Sequence, residues 1–259
     1  MVVRFDYAGM QGRVLPCARL MRLSVIIPAL NEERALPKSV ASVPRDAEVI
    51  VADGQSLDRT REVAARLGTR VITGDAGRGA QMNRGAEHAS GDTLLFLHAD
   101  CMLDPGADNA IEEALSDDRV VGGSFHLRIQ PARIVLAVVA FGANLRARWL
   151  RLPYGDQALF VRRQVFDELG GYREIPIMED VELVKRLRKR GRLKHLSANV
   201  TTSPRHWQRL GPVLTTLLNW FAVAAFTLGA PPSRLASVYH RLRRPRAART
   251  REPLVASHE

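Results

Sequence analysis

The sequence predicts an α/β domain: a mostly parallel sheet with helices on both faces, followed by a helical C-terminal extension. Three observations predict it. Short β-branched or aliphatic runs alternate with helix-period stretches between Leu23 and Asp100. Glycine closes several of the helical stretches. Two of the strands end on carboxylates, Asp53 and Asp100, at the edge where ligands bind in parallel sheets. A chain of 259 residues, 46% hydrophobic and 25% charged, is long and apolar enough to bury a sizeable core.

Taken in order, "LSVIIPA" is a β-branched strand interrupted by Pro28, and a helical stretch precedes "SVASV". "AEVIVADG" is a second strand, "LDRTREVAARLG" a helix with a terminal glycine, and "TRVITG" a third strand. "GAQMNRGAEHAS" reads as a helix closing on Gly91, and "DTLLFLHAD" as the fourth strand. "PGADNAIEEALSD" is helical and "VVGGSFHLRI" a strand. "PARIVLAVVAFGANLRARWLRL" is a helix, apolar first and basic later. "YGDQALFVRRQVFDELGGY" combines a strand and a short helix, "EDVELVKRLRKRG" is strongly helical, and "LKHLSANVTTS" is a late strand.

The uncharged run from Pro212 to Ala230 approaches the length of a membrane span. Its three threonines and Asn219 favour a docked, dimer-forming or interfacial helix instead, with arginines at 205, 209, 234 and 241 available to anionic headgroups. The expected division is a loose or mis-started segment over 1–21, a catalytic domain over 22–203, a loop and helical extension over 204–242, and a disordered basic tail over 243–259. The first twenty residues lack the continuous apolar stretch of a secretory signal. Cys17 and Cys101 form neither a zinc pattern nor a disulfide framework, so a cytoplasmic setting, at most against the inner face of the membrane, is expected. Net charge is +11, almost all from arginine, which suits bidentate contact with phosphate or an anionic membrane.

The pieces "LSVIIPALNEE", "VIVADGQSLDRT", "MNRGAEHASGDTLLFLHAD" and "GGY…IMEDVELVKRLRKRG" occur in this order from Leu23 onward, and together they resemble the family 2 glycosyltransferases. "LHAD", "YGDQALFVRR" and "MEDVEL" look closest to a bacterial subgroup known as arsenosugar-associated or radical-SAM/selenodomain-associated. The resemblance implies the GT-A fold, a Rossmann-like arrangement. It also implies transfer of a sugar from a UDP- or GDP-linked donor, with inversion and with Mn²⁺ or Mg²⁺ as cofactor. It implies no nucleic-acid partner; the acceptor stays open between a hydroxyl and a carboxylate, and a homodimer fits.

The same resemblance assigns candidate residues. Pro28, Ala29, Leu30, Asn31 and Glu32 frame the nucleoside, although the family often has an aromatic residue where Leu30 stands. Asp53 reads the base, and Arg78 and Arg84 lie where family members place an arginine against the nucleotide. The family's metal motif is usually two acids around a variable residue; here Asp100 keeps the last acid and His98 replaces the first. On a strand, His98 and Asp100 would share a face, with His98 expected to contact ribose or to pack rather than to ligate the metal. Asp156 is a candidate for sugar hydroxyls. Arg205, His206 and Arg209 belong to a loop that would close over the diphosphate, with His206 a second metal ligand and Trp207 an acceptor platform.

Asp180 precedes Leu183, Val184 and Leu187 at helical spacing, so it faces inward in the first turn of its helix, where the dipole favours a carboxylate. That placement suits the general base, with Glu179 beside it. Two rivals remain: a sugar-phosphate nucleotidyltransferase, whose Gly-rich basic signature "PALNEERALP" lacks, and a basic membrane- or nucleic-acid-binding protein with a degenerate site.

Overall fold

The computed structural model describes residues 21–131, 133–208 and 210–243, with His206, His240 and Arg243 described by backbone alone. Most of the expected loose segment over 1–21, nearly all of the tail over 243–259, Arg209 and the His206 side chain lie outside the described residues.

β1 (Leu23–Ala29) is buried along its whole length and lies between β2 (Glu48–Asp53) and β4 (Thr93–Phe96), both parallel to it. β3 (Arg70–Thr73) extends that side. The strand's two faces feed two cores, as its period of two requires. Val25 and Ile27 enter one and Ile26 the other; Leu95 and Leu97, then Leu94 and Phe96, divide the same way. Helices α1 (Leu36–Ala41), α2 (Thr60–Arg66) and α3 (Arg78–Glu87) connect these strands. α1 runs into the "SVASV" segment rather than ahead of it. Gly85 lets α3 press onto β1: a Cβ there would meet Ile26 Cγ2 at 2.4 Å.

Beyond β4 come β5 (Cys101–Leu103), α4 (Ala107–Leu115), β6 (Val120–Ile129) and α5 (Ile134–Leu150). A single 3₁₀ turn (Gly155–Gln157) leads to β7 (Leu159–Arg162), α6 (Arg163–Glu168), α7 (Glu179–Arg190) and β8 (Arg192–Thr202). The eight strands form one sheet in the order β3-β2-β1-β4-β7-β6-β8-β5. Four of its seven pairings are parallel, so the sheet is mostly parallel as expected, while β7 and β5 run antiparallel to their neighbours.

One expectation is corrected here. The fourth strand stops at Phe96, not Asp100. The chain turns after Leu97, with the Cys101 N–H donating to the His98 carbonyl at 2.9 Å, and enters β5 to pair with β8. Strand alternation therefore says nothing about His98 and Asp100. The β1–β4 ladder ends at the Ile26–Phe96 pair, so Pro28 needs no donor on that side and the two strands part. A cleft opens at that parting, as expected where strand order reverses.

α8 (Arg205–Gln208), α9 (Pro212–Thr227) and α10 (Pro232–Arg243) form the helical extension, with α9 packed on α5, α8 and α10. The run from Pro212 to Ala230 is therefore a 16-residue helix and a short link, and no described helix is long and apolar enough to cross a membrane.

Candidate active site

The cleft has a volume of about 540 Å³ and is walled by six separate parts of the chain. The end of β1 supplies Pro28, Ala29, Leu30 and Glu32; the start of α3 supplies Arg78 and Gln81. The turn after β4 gives His98 and Asp100, the 3₁₀ turn gives Tyr154, Gly155 and Asp156, and α7 gives Asp180. Trp207, Asn219, Val223 and Tyr239 from the extension complete the wall.

The first loop is stitched to the loop after β2. Asn31, held at φ 55, donates its N–H to Ser56 Oγ (2.9 Å) and accepts the Leu57 N–H at Oδ1 (2.8 Å). The Glu32 N–H donates to Thr60 Oγ1 at 2.8 Å. Asn31 thus shapes the wall without lining the cleft. Asp53 is also off the cleft surface, fully buried, so the expected shared rim of Asp53 and Asp100 is not formed at the surface. Asp53 Oδ2 accepts the Ser56 N–H at 3.0 Å, whereas its Oδ1 is buried without a hydrogen-bond partner among the described residues. A buried carboxylate oxygen left so is costly unless a ligand donor reaches it.

Gln81 was not singled out from sequence. Its Nε2 donates to the carbonyls of Ala29 (2.9 Å) and Ala52 (2.8 Å), and its Oε1 accepts the Gly77 N–H (3.2 Å). It pins the ends of β1 and β2 to the start of α3. The available signal was an amide on the inward face of a helix. Arg84 is likewise a brace: it donates to the Asp75 carbonyl at 3.1 Å and does not line the cleft.

The turn after Leu97 brings the ligand atoms of His98, Asp100 and Cys101 within 4.8 Å of one another. Burial, then Arg78, depress the His98 imidazole to about 4, so it is neutral near pH 7 with a lone pair to give. Burial raises the Cys101 thiol well above its ordinary range, which keeps the sulfur protonated and a poor ligand. One neutral imidazole and one carboxylate fit a divalent cation whose remaining ligands are phosphate oxygens; imidazole suits Mn²⁺ better than Mg²⁺. Asp100 already accepts from Ser203 Oγ (3.0 Å) and faces Arg205 Nη2 at 3.4 Å. Arg205 also pairs with Glu32 at 2.8 Å, spanning the cleft edge where phosphate charge would arrive.

α7 begins after Met178, held in the left-handed region at φ 67, a conformation uncommon for a bulky residue. The twist sends Glu179 and Asp180 different ways. Glu179 is buried and pairs with Arg78 at 2.8 Å; burial pushes its carboxyl up to about 7, against the pull of Arg78. Asp180 faces the cleft. Its Oδ2 accepts the Gly155 N–H at 2.7 Å and its Oδ1 its neighbour Val181's N–H at 2.8 Å. Helix α7 does bury Leu183, Val184 and Leu187 on its inward face. Gly155 leaves room for His98, since a Cβ there would lie 2.9 Å from His98 Nε2. Asp156 is raised to about 6 by burial, with Arg146 opposing. Tyr154, another residue not foreseen, holds the Arg146 guanidinium 3.3 Å from its ring centroid. Trp207 is buried in the core and offers the cleft an edge rather than an open platform.

A family model described as "Glycosyl transferase family 2" matches residues 24–173. A "PGL/p-HBAD biosynthesis glycosyltransferase" of Mycobacterium bovis is 32% identical over 170 residues, covering 58% of this chain and 62% of that protein. The chain thus matches less than two thirds of that relative's length. A "4,4'-diaponeurosporenoate glycosyltransferase" of Staphylococcus haemolyticus is 39% identical over 92 residues, 31% of this chain and 24% of the relative. Among solved structures, a Pyrobaculum calidifontis mannosyltransferase in complex with GDP-Man and Mn²⁺ superposes with TM-score 0.60 at 20% identity, over 85% of this chain and 68% of that one. Glucosyl-3-phosphoglycerate synthase of Mycobacterium tuberculosis with Mg²⁺ and UDP gives 0.59 at 19% identity, over 82% and 80%. At these identities the likeness establishes the GT-A fold.

Proposed function

Because the chain belongs to glycosyl transferase family 2, we propose that it moves a sugar from a UDP- or GDP-linked donor to an acceptor, with inversion at the anomeric carbon and with Mn²⁺ or Mg²⁺ as cofactor. The observation that carries this reading is the meeting of Asp100, His98, Arg78 and Asp180 in one cleft, from segments up to about a hundred residues apart.

Three jobs are distributed over these residues. The nucleoside lies along Pro28 to Leu30, and the orphaned Oδ1 of Asp53, buried off the cleft surface, would accept a base N–H only once the residues covering it part. The diphosphate lies against Asp100, Arg78 and Arg205. His98 and Asp100 would hold the cation, which when bound neutralises charge building on the leaving diphosphate. Asp180 takes the acceptor's proton as the acceptor oxygen bonds to the anomeric carbon. The carbon–phosphate-oxygen bond breaks on the opposite side, and its electron pair leaves with the diphosphate. The Gly155 N–H fixes one Asp180 oxygen for this role, so that a base within reach replaces water reorganisation. Glu179 anchors Arg78, and Asp156 stands where sugar hydroxyls would bind.

Relatives and neighbours support the donor class: GDP-Man in one neighbour and UDP in another. The relative named for diaponeurosporenoate supports an apolar acceptor bearing a carboxylate or hydroxyl. The reading extends to the arsenosugar-associated subgroup through "LHAD" and "MEDVEL", and to work at the inner face of the membrane. A thermal-shift screen of nucleotide sugars with and without Mn²⁺ tests it. A stabilisation by one UDP- or GDP-sugar that needs the metal is expected. No response to any donor, or pyrophosphate release from sugar phosphate and nucleoside triphosphate, would overturn it.

A further inference from the structure

α5 and α9 are apolar on two faces each. On α5, Leu136, Ala140, Asn144 and Ala147 turn inward, while Ile134, Val138, Phe141, Leu145 and Trp149 form a second stripe at helical spacing in solvent. Phe141 is 69% exposed and Trp149 74%. α9 repeats the pattern: Thr215 and Ala222 are buried, and Val213, Leu217, Trp220 and Phe221 are exposed, Phe221 to 62%. The two helices pack against one another. Isolated exposed apolar residues are ordinary, but two adjoining stripes with four aromatic rings are a binding surface.

Charge identifies the occupant. Residues 119–155 and 183–251, which contain α5 and the whole extension, hold 22 Lys or Arg and no Asp or Glu. The other 16 Lys or Arg share the remainder of the chain with all 27 acids. Arg133, Arg148 and Arg151 stand exposed at the ends of α5. A second copy of this chain would bring one predominantly cationic surface against another, with Glu113 and Asp117 the acids beside Phe141 and Trp149. Nucleic acid would leave the aromatic stripes uncovered. An anionic lipid bilayer satisfies both: apolar rings enter the acyl boundary while arginines meet headgroups.

We propose that the α5–α9 face docks this protein on an anionic membrane surface, lying in the interface and not crossing it. Because Asn219 and Val223 of α9 and Tyr239 of α10 also wall the cleft, docking sets the cleft mouth close to lipid. Resting on the transfer reading above, this assigns the acceptor to amphiphiles presented by the bilayer.

Sedimentation with vesicles tests the docking. The full chain is spun with vesicles containing phosphatidylglycerol and with pure phosphatidylcholine, alongside the pairs Val138→Glu/Phe141→Glu and Trp220→Glu/Phe221→Glu. The parent is expected to pellet with the anionic vesicles, to do so less at high salt, and to blue-shift its tryptophan emission. Each pair should cut the bound fraction by about tenfold. Failure of the parent to pellet would overturn the proposal, as would parental binding by both pairs. So would a dimer in light scattering that the same substitutions dissociate, or tight salt-sensitive binding to duplex DNA without vesicle binding. Nucleotide-sugar binding, measured on the same samples without vesicles, separates loss of docking from failure of the transfer reading.

Discussion

Replacing Asp180 by asparagine removes a charge and nearly preserves a shape. The carboxylate accepts two backbone N–H groups, from Gly155 at 2.7 Å and Val181 at 2.8 Å. An amide has one acceptor oxygen, so one of those donors loses its partner. The stability loss is about 1–2 kcal/mol, since Asp180 is only partly buried and water reaches the cleft. The chemical loss is larger. A positioned general base contributes about 10²–10⁴ in rate, or about 3–5 kcal/mol of barrier. Transfer, or hydrolysis of the donor when water is the acceptor, should fall by that factor at saturating donor. Donor affinity, read by calorimetry, should stay within about threefold, because Asp180 faces the acceptor side. An Asp180→Asn protein that keeps a kcat within about tenfold of the parent would sink the assignment of Asp180 as base.

Gly155→Ala should also damage the site. Its new methyl would lie 2.9 Å from His98 Nε2, displacing the imidazole, while only touching Asp180 Oδ2 at 3.4 Å; we expect metal-dependent donor binding to weaken by about tenfold or more with little change in fold by circular dichroism. Arg205→Met removes the pairings with Glu32 and Asp100. Because the guanidinium is half exposed, stability should change by less than about 1 kcal/mol while affinity for UDP or GDP falls, measured by calorimetry. Glu179 is raised from 4.5 to about 7, so the folded state binds its proton more tightly than the unfolded. Its contribution is complete below about pH 4.5 and is lost as pH rises through about 7. The urea midpoint of the parent should therefore fall relative to that of Glu179→Gln between about pH 5 and about pH 7.5; a constant difference would show that Glu179 titrates normally.

The fold was legible because strand and helix periods differ, because β1 and β2 carry β-branched cores, and because β4 is a continuous apolar run. The end of β4 was not: "LLFLHAD" is uniformly strand-like up to Leu97, and only the pairing of β5 with β8, some hundred residues later, turns the chain away. The place of Asp180 in the first turn of an inward-packed helix was legible from helix geometry. Asp53 was found, but its burial was not, because a strand-ending acid reads alike whether it meets solvent or a stitched loop. Gln81 and Tyr154 act through carbonyls and a guanidinium brought in by topology, which no local pattern records. A helix in the run Pro212 to Ala230 was legible in the sequence, but its end at Thr227 was not, and which of its faces stays open depends on its contact with α5.

The insertion of β7 between β4 and β6 leaves the covering of the β4 edge to a segment much later in the chain. Residues 23–96 form a four-stranded parallel unit by themselves, but its β4 edge waits for residues 159–162 before it is covered. Pairing across that separation is slow relative to local helix formation. Until it happens, an apolar strand edge lies open to other chains. Asp180, the proposed base, follows β7 in the chain, so a chain too short to close that edge also lacks it. A nascent or truncated chain that already holds the nucleoside-side residues would therefore be prone to aggregate and would carry no transferase activity.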